Sequence, residues 1–199
     1  SLCIELLKSD YRIVGIDNFS DYYDPNLKKA RYNKLVEEAE DNFQFHKINL
    51  LDKEKLASIL NDLKPDVICH LAAQAGVRYS LENPISYIDN NIVATTNLLE
   101  IASKLKINNF VFASTSSVYG LSQSVPFSED LSINTTISPY AASKRACELL
   151  CHTYHHIYNI RFRILRFFTV YGPWGRPDMA LFKFTRAMLN NSPIDIYNN

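Results

Sequence analysis

Several features that are common in nucleotide-binding and membrane proteins are scarce in this sequence. Only five of its 199 residues are glycine, and no G-x-G-x-x-G turn, the type that binds a pyrophosphate at a helix N-terminus, occurs in it. Lysine plus arginine and aspartate plus glutamate both number 21, and no basic block argues for nucleic acid as a partner. No apolar run reaches membrane-spanning length, and the first residues do not resemble a signal peptide. We therefore expect a cytoplasmic protein that binds neither nucleic acid nor a membrane.

The four cysteines do not have the spacing of a disulfide framework. Three of Cys3, Cys69, Cys147 and Cys151 lie in apolar segments, where a free cysteine packs as a small hydrophobic side chain. Cys147, Cys151 and His155 could share one face of a helix, but no fourth metal ligand accompanies them. The sequence therefore predicts reduced thiols and no metal site.

Strand-like and helical segments alternate along the chain. Near-continuous apolar runs predict buried parallel strands, and the segments between them have helical period. The predicted strands are 11–17, 43–48, 66–71, 109–114 and 161–167, and the predicted helices are 1–8, 26–41, 53–63, 85–104 and 138–158. This alternation predicts an α/β fold with a doubly wound, mostly parallel sheet. Because the first helix has no capping residue before it, we expect the first strand and its glycine-rich loop to precede residue 1.

Small and polar residues follow the ends of the predicted strands, where doubly wound sheets bind their ligands. Asp17 is placed to accept hydrogen bonds from an adenosine ribose, although an ordinary turn aspartate has the same position. Residues 71–76 are small enough for a flat ligand to lie against the backbone, or for close helix packing. The hydroxyls of residues 114–117 could donate to a substrate oxygen or form a polar loop. Arg176 could bind a carboxylate or phosphate, or remain solvated.

Tyr140 and Lys144 lie one turn apart in the predicted helix 138–158, so they share a face. An ammonium group and a helix N-terminus nearby would both favour the charged form of the phenol, which could then act as a base near neutral pH. Ser138 and Pro139 suit the N-cap and the first position of this helix. Since many solvated helices contain this spacing by chance, the pair indicates catalysis only together with the strand ends.

Four motifs together resemble the extended short-chain dehydrogenase/reductases that act on nucleotide sugars, and the resemblance covers essentially the whole chain. The motifs are His70-Leu-Ala-Ala-Gln-Ala75, Thr115-Ser-Ser-Val-Tyr-Gly120, Tyr140-Ala-Ala-Ser-Lys144 and Leu165-Arg-Phe-Phe-Thr-Val-Tyr-Gly-Pro173. Segments 17–25, 75–80 and 171–179 are most similar to family members that epimerise UDP-glucuronate at C4. The resemblance implies a Rossmann-like NAD-binding domain over residues 1–175, truncated at its N-terminus. Residues 176–199 would begin a substrate-binding domain that is largely missing.

The resemblance also implies roles for individual residues. Tyr140 would take the proton from the sugar 4-hydroxyl, Lys144 would bind the nicotinamide ribose, and Thr115 would hydrogen-bond the sugar O4. A tightly held NAD would take a hydride from the sugar and return it to the other face of the 4-keto intermediate. The implied cofactor-binding residues are Asp17, Asn18, Asn49, Leu50, Leu71, Ala72, Ala73, Gln74, Asn91, Lys144 and Phe168. Asn49 stands where the family usually has an aspartate.

An acidic sugar sets a chemical problem for such an enzyme. Oxidation of C4 in a glucuronate gives a β-keto acid, which readily loses carbon dioxide, so the enzyme must hold the carboxylate in an orientation that resists cleavage. Hydrogen-bond donors suited to substrate binding are Arg78, Ser116, Ser117, Thr169 and Arg176. Related dehydratases and decarboxylases carry an acidic residue in the hydroxyl run, where this chain has Ser116 and Ser117. That difference favours epimerisation.

Three functional interpretations remain open at this point. The first is interconversion of UDP-glucuronate and UDP-galacturonate, and the second is epimerisation of a neutral UDP-sugar, either a UDP-N-acetylhexosamine or UDP-glucose. The third is a fragment that has no catalytic activity. Because members of the family often dimerise through a four-helix contact, we also expect a homodimer of the full-length protein, formed by helices 85–104 and 138–158.

Overall fold

The computed structural model describes residues 1–39 and 41–194. The helices are α1 (Leu2–Leu7), α2 (Pro25–Glu38), α3 (Lys53–Leu63), α4 (Val77–Glu82), α5 (Pro84–Tyr87), α6 (Ala94–Leu105), α7 (Pro139–Tyr158) and α8 (Ala180–Leu189). The strands are β1 (Ile13–Asp17), β2 (Phe43–Lys47), β3 (Ile68–His70), β4 (Asn109–Thr115) and β5 (Arg161–Phe167). A π-helix covers Ile88–Val93, and a 3₁₀-helix covers Ser116–Tyr119. None of the described helices combines the length and apolarity that crossing a membrane requires.

The chain divides into two compact units. The first combines residues 1–47 with the segment that begins at Thr169. In it, β1 and β2 pair in parallel, with Ile13 opposite Phe43 and Asp17 opposite Lys47. The connecting helix α2 begins cleanly because the Asp24 carboxylate accepts a hydrogen bond from the backbone N–H of Asn26, and proline occupies the first helical position. This arrangement leaves Asp17 at the carboxyl end of β1.

The second unit, residues 48–168, holds a three-stranded parallel sheet in the order β3-β4-β5. In the register, Ile68 lies opposite Phe110, and Thr115 lies opposite Phe167. One face of β4 supplies the fully buried Phe110 and Phe112, as expected for a strand that is covered by helices. The carboxyl ends of β4 and β5 therefore lie side by side.

The observed elements agree with the predicted fold class. Every strand pair is parallel and is joined through a helix, so the doubly wound parallel α/β fold is confirmed. The strand order is β1-β2 in the first unit and β3-β4-β5 in the second. The predicted domain boundary after residue 175 remains a prediction.

The predicted single helix 85–104 differs most from the structure. It consists of α5, the π-helix and α6, so wider i→i+5 turns interrupt the α-helical hydrogen-bonding pattern. Asn83 starts this segment, because its side-chain oxygen accepts a hydrogen bond from the backbone N–H of Ser86. The sequence prediction was wrong here because hydrophobic periodicity does not register one wide turn inside a longer helix. The short helix α4 was also missed, since its six residues give too few turns for a periodic signal.

Candidate active site

Helix α7 carries the predicted tyrosine and lysine in its first two turns. The Ser138 hydroxyl accepts a hydrogen bond from the backbone N–H of Ala141, and Pro139 occupies the first helical position, as predicted. The Tyr140 ring lies edge-on to the ring of Tyr87, with centroids 6.0 Å apart. The backbone carbonyl of Tyr140 accepts a hydrogen bond from the Ser143 hydroxyl. The start of the helix is therefore fixed on several sides, which holds the phenol in place.

Lys144 is almost fully buried, with 3 % of its surface exposed. Its Nζ donates to the Ala113 carbonyl oxygen at 2.7 Å and lies 4.9 Å from the centroid of the Phe112 ring. Because burial penalises the charged form, the pKa of Lys144 falls from its ordinary value to about 8. A lysine in this state carries its proton less firmly than a solvated one and is anchored to the end of β4.

The hydroxyl run follows β4 directly. The Thr115 hydroxyl accepts a hydrogen bond from the backbone N–H of Ser117 and also bonds the Ser117 hydroxyl, both at 3.2 Å. Thr115 is buried, whereas Ser116 and Ser117 are half-buried. These contacts close the 3₁₀ turn after the strand, so the three predicted hydroxyls stand together at the carboxyl end of β4.

Asn91 holds the small-residue loop after β3. Its side chain accepts a hydrogen bond from the Gln74 N–H at 2.7 Å and donates to the Gln74 carbonyl at 3.0 Å. It also donates to the Ser143 hydroxyl, and it is 1 % exposed. Any effect of Asn91 on a ligand would therefore pass through the loop. Leu71, Ala72 and Ala73 are exposed, which leaves that backbone open to a ligand.

A buried carboxylate that the sequence analysis missed ties three elements of the site together. Glu148 is fully buried on α7, and its oxygens accept a hydrogen bond from the Ser114 hydroxyl and two from the Arg166 guanidinium. Arg145 adds a further donor at 2.8 Å. Burial alone would raise the pKa of Glu148, but these donors hold it below its ordinary value. The only signal in the sequence was an acidic residue on the apolar face of a predicted helix.

Two other predicted residues of the second unit, Asn49 and Leu50, make local hydrogen bonds, and a third, Arg78, lies at the surface. The Asn49 side chain accepts a hydrogen bond from the Leu51 N–H, and the Leu50 carbonyl accepts one from Asn97. Arg78 lies exposed in α4. Their predicted contacts with the cofactor or the substrate remain predictions.

In the first unit, two polar residues follow β1. The Asp17 carboxylate accepts a hydrogen bond from the Phe19 N–H at 2.6 Å, and the Asn18 side chain accepts one from the Ser20 N–H at 2.9 Å. Asp17 is exposed. Both residues therefore shape the turn after β1, and this turn leaves the Asp17 side chain accessible to a ribose.

Arg176 is paired within its own loop. Its Nε donates to the Asp178 carboxylate at 3.0 Å, and its Nη2 donates to the second oxygen of that carboxylate. Burial lowers the pKa of Arg176, but the Asp178 carboxylate outweighs it and raises the pKa above the ordinary value. The guanidinium also lies 5.6 Å from the centroid of the Tyr22 ring. The sequence analysis did not identify Asp178, although it stands only two residues from the arginine.

Thr169, also predicted to bind substrate, is exposed.

Comparison with known proteins places this geometry in a family. The chain is 49 % identical over 198 residues to Protein CapI of Staphylococcus aureus and 45 % identical over 194 residues to a UDP-glucuronate 4-epimerase of Thermodesulfobacterium geofontis. These matches cover 100 % and 98 % of this chain but 58 % and 59 % of the relatives.

A solved structure shows the same similarity. It is UDP-glucuronic acid 4-epimerase from Bacillus cereus in complex with UDP-glucuronic acid and NAD, at a TM-score of 0.90 and 42 % identity. The match covers 100 % of this chain and 62 % of that one. The chain therefore spans about three fifths of the length of each of these three proteins. The model of the NAD dependent epimerase/dehydratase family matches residues 1–199, and the chain belongs to that family.

Proposed function

We propose that the protein to which this chain belongs is a nucleotide-sugar 4-epimerase that uses NAD to interconvert UDP-glucuronate and UDP-galacturonate. The observation that carries the proposal is the anchoring of Lys144, one turn from Tyr140, to the strand whose end supplies Thr115, Ser116 and Ser117. No acidic side chain interrupts that hydroxyl run. The Bacillus cereus structure, crystallised with the acidic UDP-sugar and NAD, supports the choice of substrate and cofactor.

The residues present fit a dinucleotide. The Nε2 atom of Gln74 is buried without a hydrogen-bond partner in the described part of the chain, so a donor is available beside the exposed backbone of Ala72 and Ala73. Asp17 offers a carboxylate at the end of a strand, where an adenosine ribose is bound in such folds. Asp17, Asn18, Asn49, Leu50, Leu71, Ala72, Ala73, Gln74, Lys144 and Phe168 would hold NAD, and Asn91 would keep the Gln74 loop in place. When bound, NAD would supply the hydride acceptor for oxidation at C4 of the sugar and the hydride donor for the return step.

The side chains of this chain would move the proton and orient the sugar. Tyr140 would take the proton of the 4-hydroxyl as the hydride leaves and give it back after the ketone has turned over. Lys144, held by Ala113, would keep positive charge close enough to favour the phenolate. Thr115 would hydrogen-bond O4, so the reacting oxygen would meet a donor on one side and the base on the other.

Holding the carboxylate would fall to Ser116, Ser117, Thr169, Arg78 and Arg176. Arg176 already donates two hydrogen bonds to Asp178, but a guanidinium has five N–H groups. A substrate carboxylate could therefore use the remaining edge of Arg176 while Asp178 keeps the side chain in place. We expect this shared arginine to fix the carboxylate and limit loss of carbon dioxide from the keto acid.

A homodimer of the full-length protein is part of the same proposal. Helix α7 exposes apolar side chains, among them Leu149 and Ile157, whereas another face of the helix is buried. Burial of these side chains against a second copy of α7, with α6 beside it, would remove apolar surface from water. Measurement of the molar mass in solution tests this part of the proposal.

The proposal is tested in the complete open reading frame that contains this chain. The purified protein is incubated with UDP-glucuronate, without added cofactor and then with NAD, and the products are separated by anion exchange. We expect UDP-galacturonate to form, and Tyr140→Phe to reduce turnover at least a thousandfold while NAD stays bound, because that change removes the base but little packing.

Two comparisons separate the alternatives. If UDP-N-acetylglucosamine or UDP-glucose is turned over faster than UDP-glucuronate, the neutral-sugar interpretation is correct. Arg176→Ala should reduce kcat/KM for UDP-glucuronate more than for a neutral UDP-sugar, and equal losses would refute its role. Absence of any product in the presence of bound NAD would show that the protein has no epimerase activity.

A further inference from the structure

Residues 121–137 form a long loop between the hydroxyl run and helix α7, and one aromatic ring from this loop reaches the strand ends. Phe127 stacks on Tyr119, with centroids 4.7 Å apart and planes 18° apart. The Phe168 ring is also nearly parallel to that of Phe127, with centroids 6.1 Å apart and planes 15° apart. Other apolar side chains of the loop point into solvent, such as Leu121, which is 75 % exposed. Phe127 thus has two nearly parallel aromatic neighbours, Tyr119 and Phe168.

The stack is fixed at the Tyr119 end. The Arg166 guanidinium lies 5.1 Å from the centroid of the Tyr119 ring, and its Nη1 donates to the carbonyl of Glu129 in the same loop. The same arginine makes two hydrogen bonds to Glu148 of α7. Through these contacts, the position of Phe127 depends on the helix that carries Tyr140.

The other end of the stack is an exposed ring. Phe168 follows β5 directly, and 62 % of its surface is accessible to solvent. Burial of apolar surface therefore does not explain why the Phe168 ring is nearly parallel to the Phe127 ring. An exposed phenylalanine at the end of a strand can turn about two side-chain bonds, and a parallel neighbour removes much of that freedom.

We propose that Phe127 is a positioning residue for epimerisation, which sets the plane of the Phe168 ring against the nicotinamide. This inference rests on the proposed function, which assigns Phe168 to the cofactor. The chain of contacts from Glu148 through Arg166, Tyr119 and Phe127 then fixes that plane relative to Tyr140. Loss of the Phe127 ring leaves the sugar-binding groups in place but lets the Phe168 ring turn.

The test uses Phe127→Leu and Phe127→Tyr in the complete protein purified with its cofactor. Leucine keeps an apolar side chain but removes the flat ring, so kcat should fall about tenfold, equivalent to about 1.4 kcal/mol, while the KM for the UDP-sugar changes less than about twofold. Tyrosine keeps the ring and should retain at least half of the wild-type kcat. Leu121→Ala, in the same loop but outside the stack, is the matched control and should leave kcat unchanged.

A second readout does not depend on turnover. NADH added to the cofactor-free protein should show lower fluorescence anisotropy with Phe127→Leu than with the wild type, because its nicotinamide ring would be less restricted. Wild-type kcat in Phe127→Leu, equal losses in the leucine and tyrosine variants, or unchanged NADH anisotropy would each overturn the inference. Inactivity of the wild type would refute the proposed function, and the anisotropy comparison would still decide whether Phe127 acts on the cofactor site. If Phe127→Leu lowers the melting temperature, the losses of kcat in Phe127→Leu, Phe168→Leu and the double variant are compared. Losses that do not add show that the two rings act together, and additive losses would overturn the inference.

Discussion

Replacement of Lys144 by methionine should stabilise the cofactor-free protein. The pKa of the buried Lys144 is about 8 in the folded state, compared with 10.5 for a solvated lysine. Below pH 8 the side chain is charged in both states, and holding this charge inside the fold costs free energy. At 1.36 kcal/mol for each tenfold change in proton affinity, this cost is about 3 kcal/mol. Methionine fills a similar volume without charge but loses the hydrogen bond to Ala113, which is worth about 1 kcal/mol. We therefore expect a net gain of about 2 kcal/mol at pH 7.

The pH dependence gives the sharper test. Between pH 8 and 10.5 the unfolded chain binds more protons at this lysine than the folded chain, so wild-type stability should rise with pH across this window. Urea unfolding of the cofactor-free protein at several pH values measures both effects, and the advantage of Lys144→Met should disappear near pH 10. Lys104→Met, which changes an exposed lysine of α6, is the control and should show no such trend. A less stable Lys144→Met protein at pH 7, or an advantage that is independent of pH, would refute the reasoning.

Two further changes probe the supports of the site. Glu148→Ala leaves the Arg166 and Arg145 guanidinium groups without their buried partner, and we expect a loss of about 3–5 kcal/mol, or on the order of 10 °C in Tm. Glu100→Ala removes exposed ion pairs and one hydrogen bond from the Tyr154 hydroxyl, and should cost about 1–2 kcal/mol. Since the pKa of Glu148 is lowered in the folded state, its contribution should be complete above about pH 5 and vanish as the pH falls through the folded-state pKa. Gly120→Ala should lower the free energy of unfolding by more than about 1 kcal/mol, because the backbone there has φ +59° and a Cβ would collide with the Thr135 carbonyl. Chemical unfolding measures this loss. An unchanged midpoint would mean that the loop moves to make room for the methyl group.

The sequence predicted what depends on local pattern. The strand and helix alternation, the Ser138 cap and the spacing of Tyr140 and Lys144 are short-range properties, and the structure has all of them. The pairing of Glu148 with Arg166 joins residues 18 positions apart on different elements, and hydrophobic periodicity carries no information about such partners. The stack on Phe127 depends in the same way on the path of an irregular loop. Asp178 was missed because an ion pair inside a loop leaves no periodic trace.

The π-helix Ile88–Val93 makes this part of the chain sensitive to length. A π turn holds one residue more than an α turn, and each residue of a helix rotates the chain by about 100°. On the N-terminal side of the π-helix, the Tyr87 hydroxyl donates a hydrogen bond to the Gly76 carbonyl at 2.6 Å. On its C-terminal side, the Thr95 hydroxyl and His70 Nε2 form a hydrogen bond of 2.9 Å. Deletion of a single residue would convert the turn to α-helix and rotate Tyr87 away from the loop that it supports. Substitutions on the exposed side of this segment should therefore be tolerated far better than any insertion or deletion.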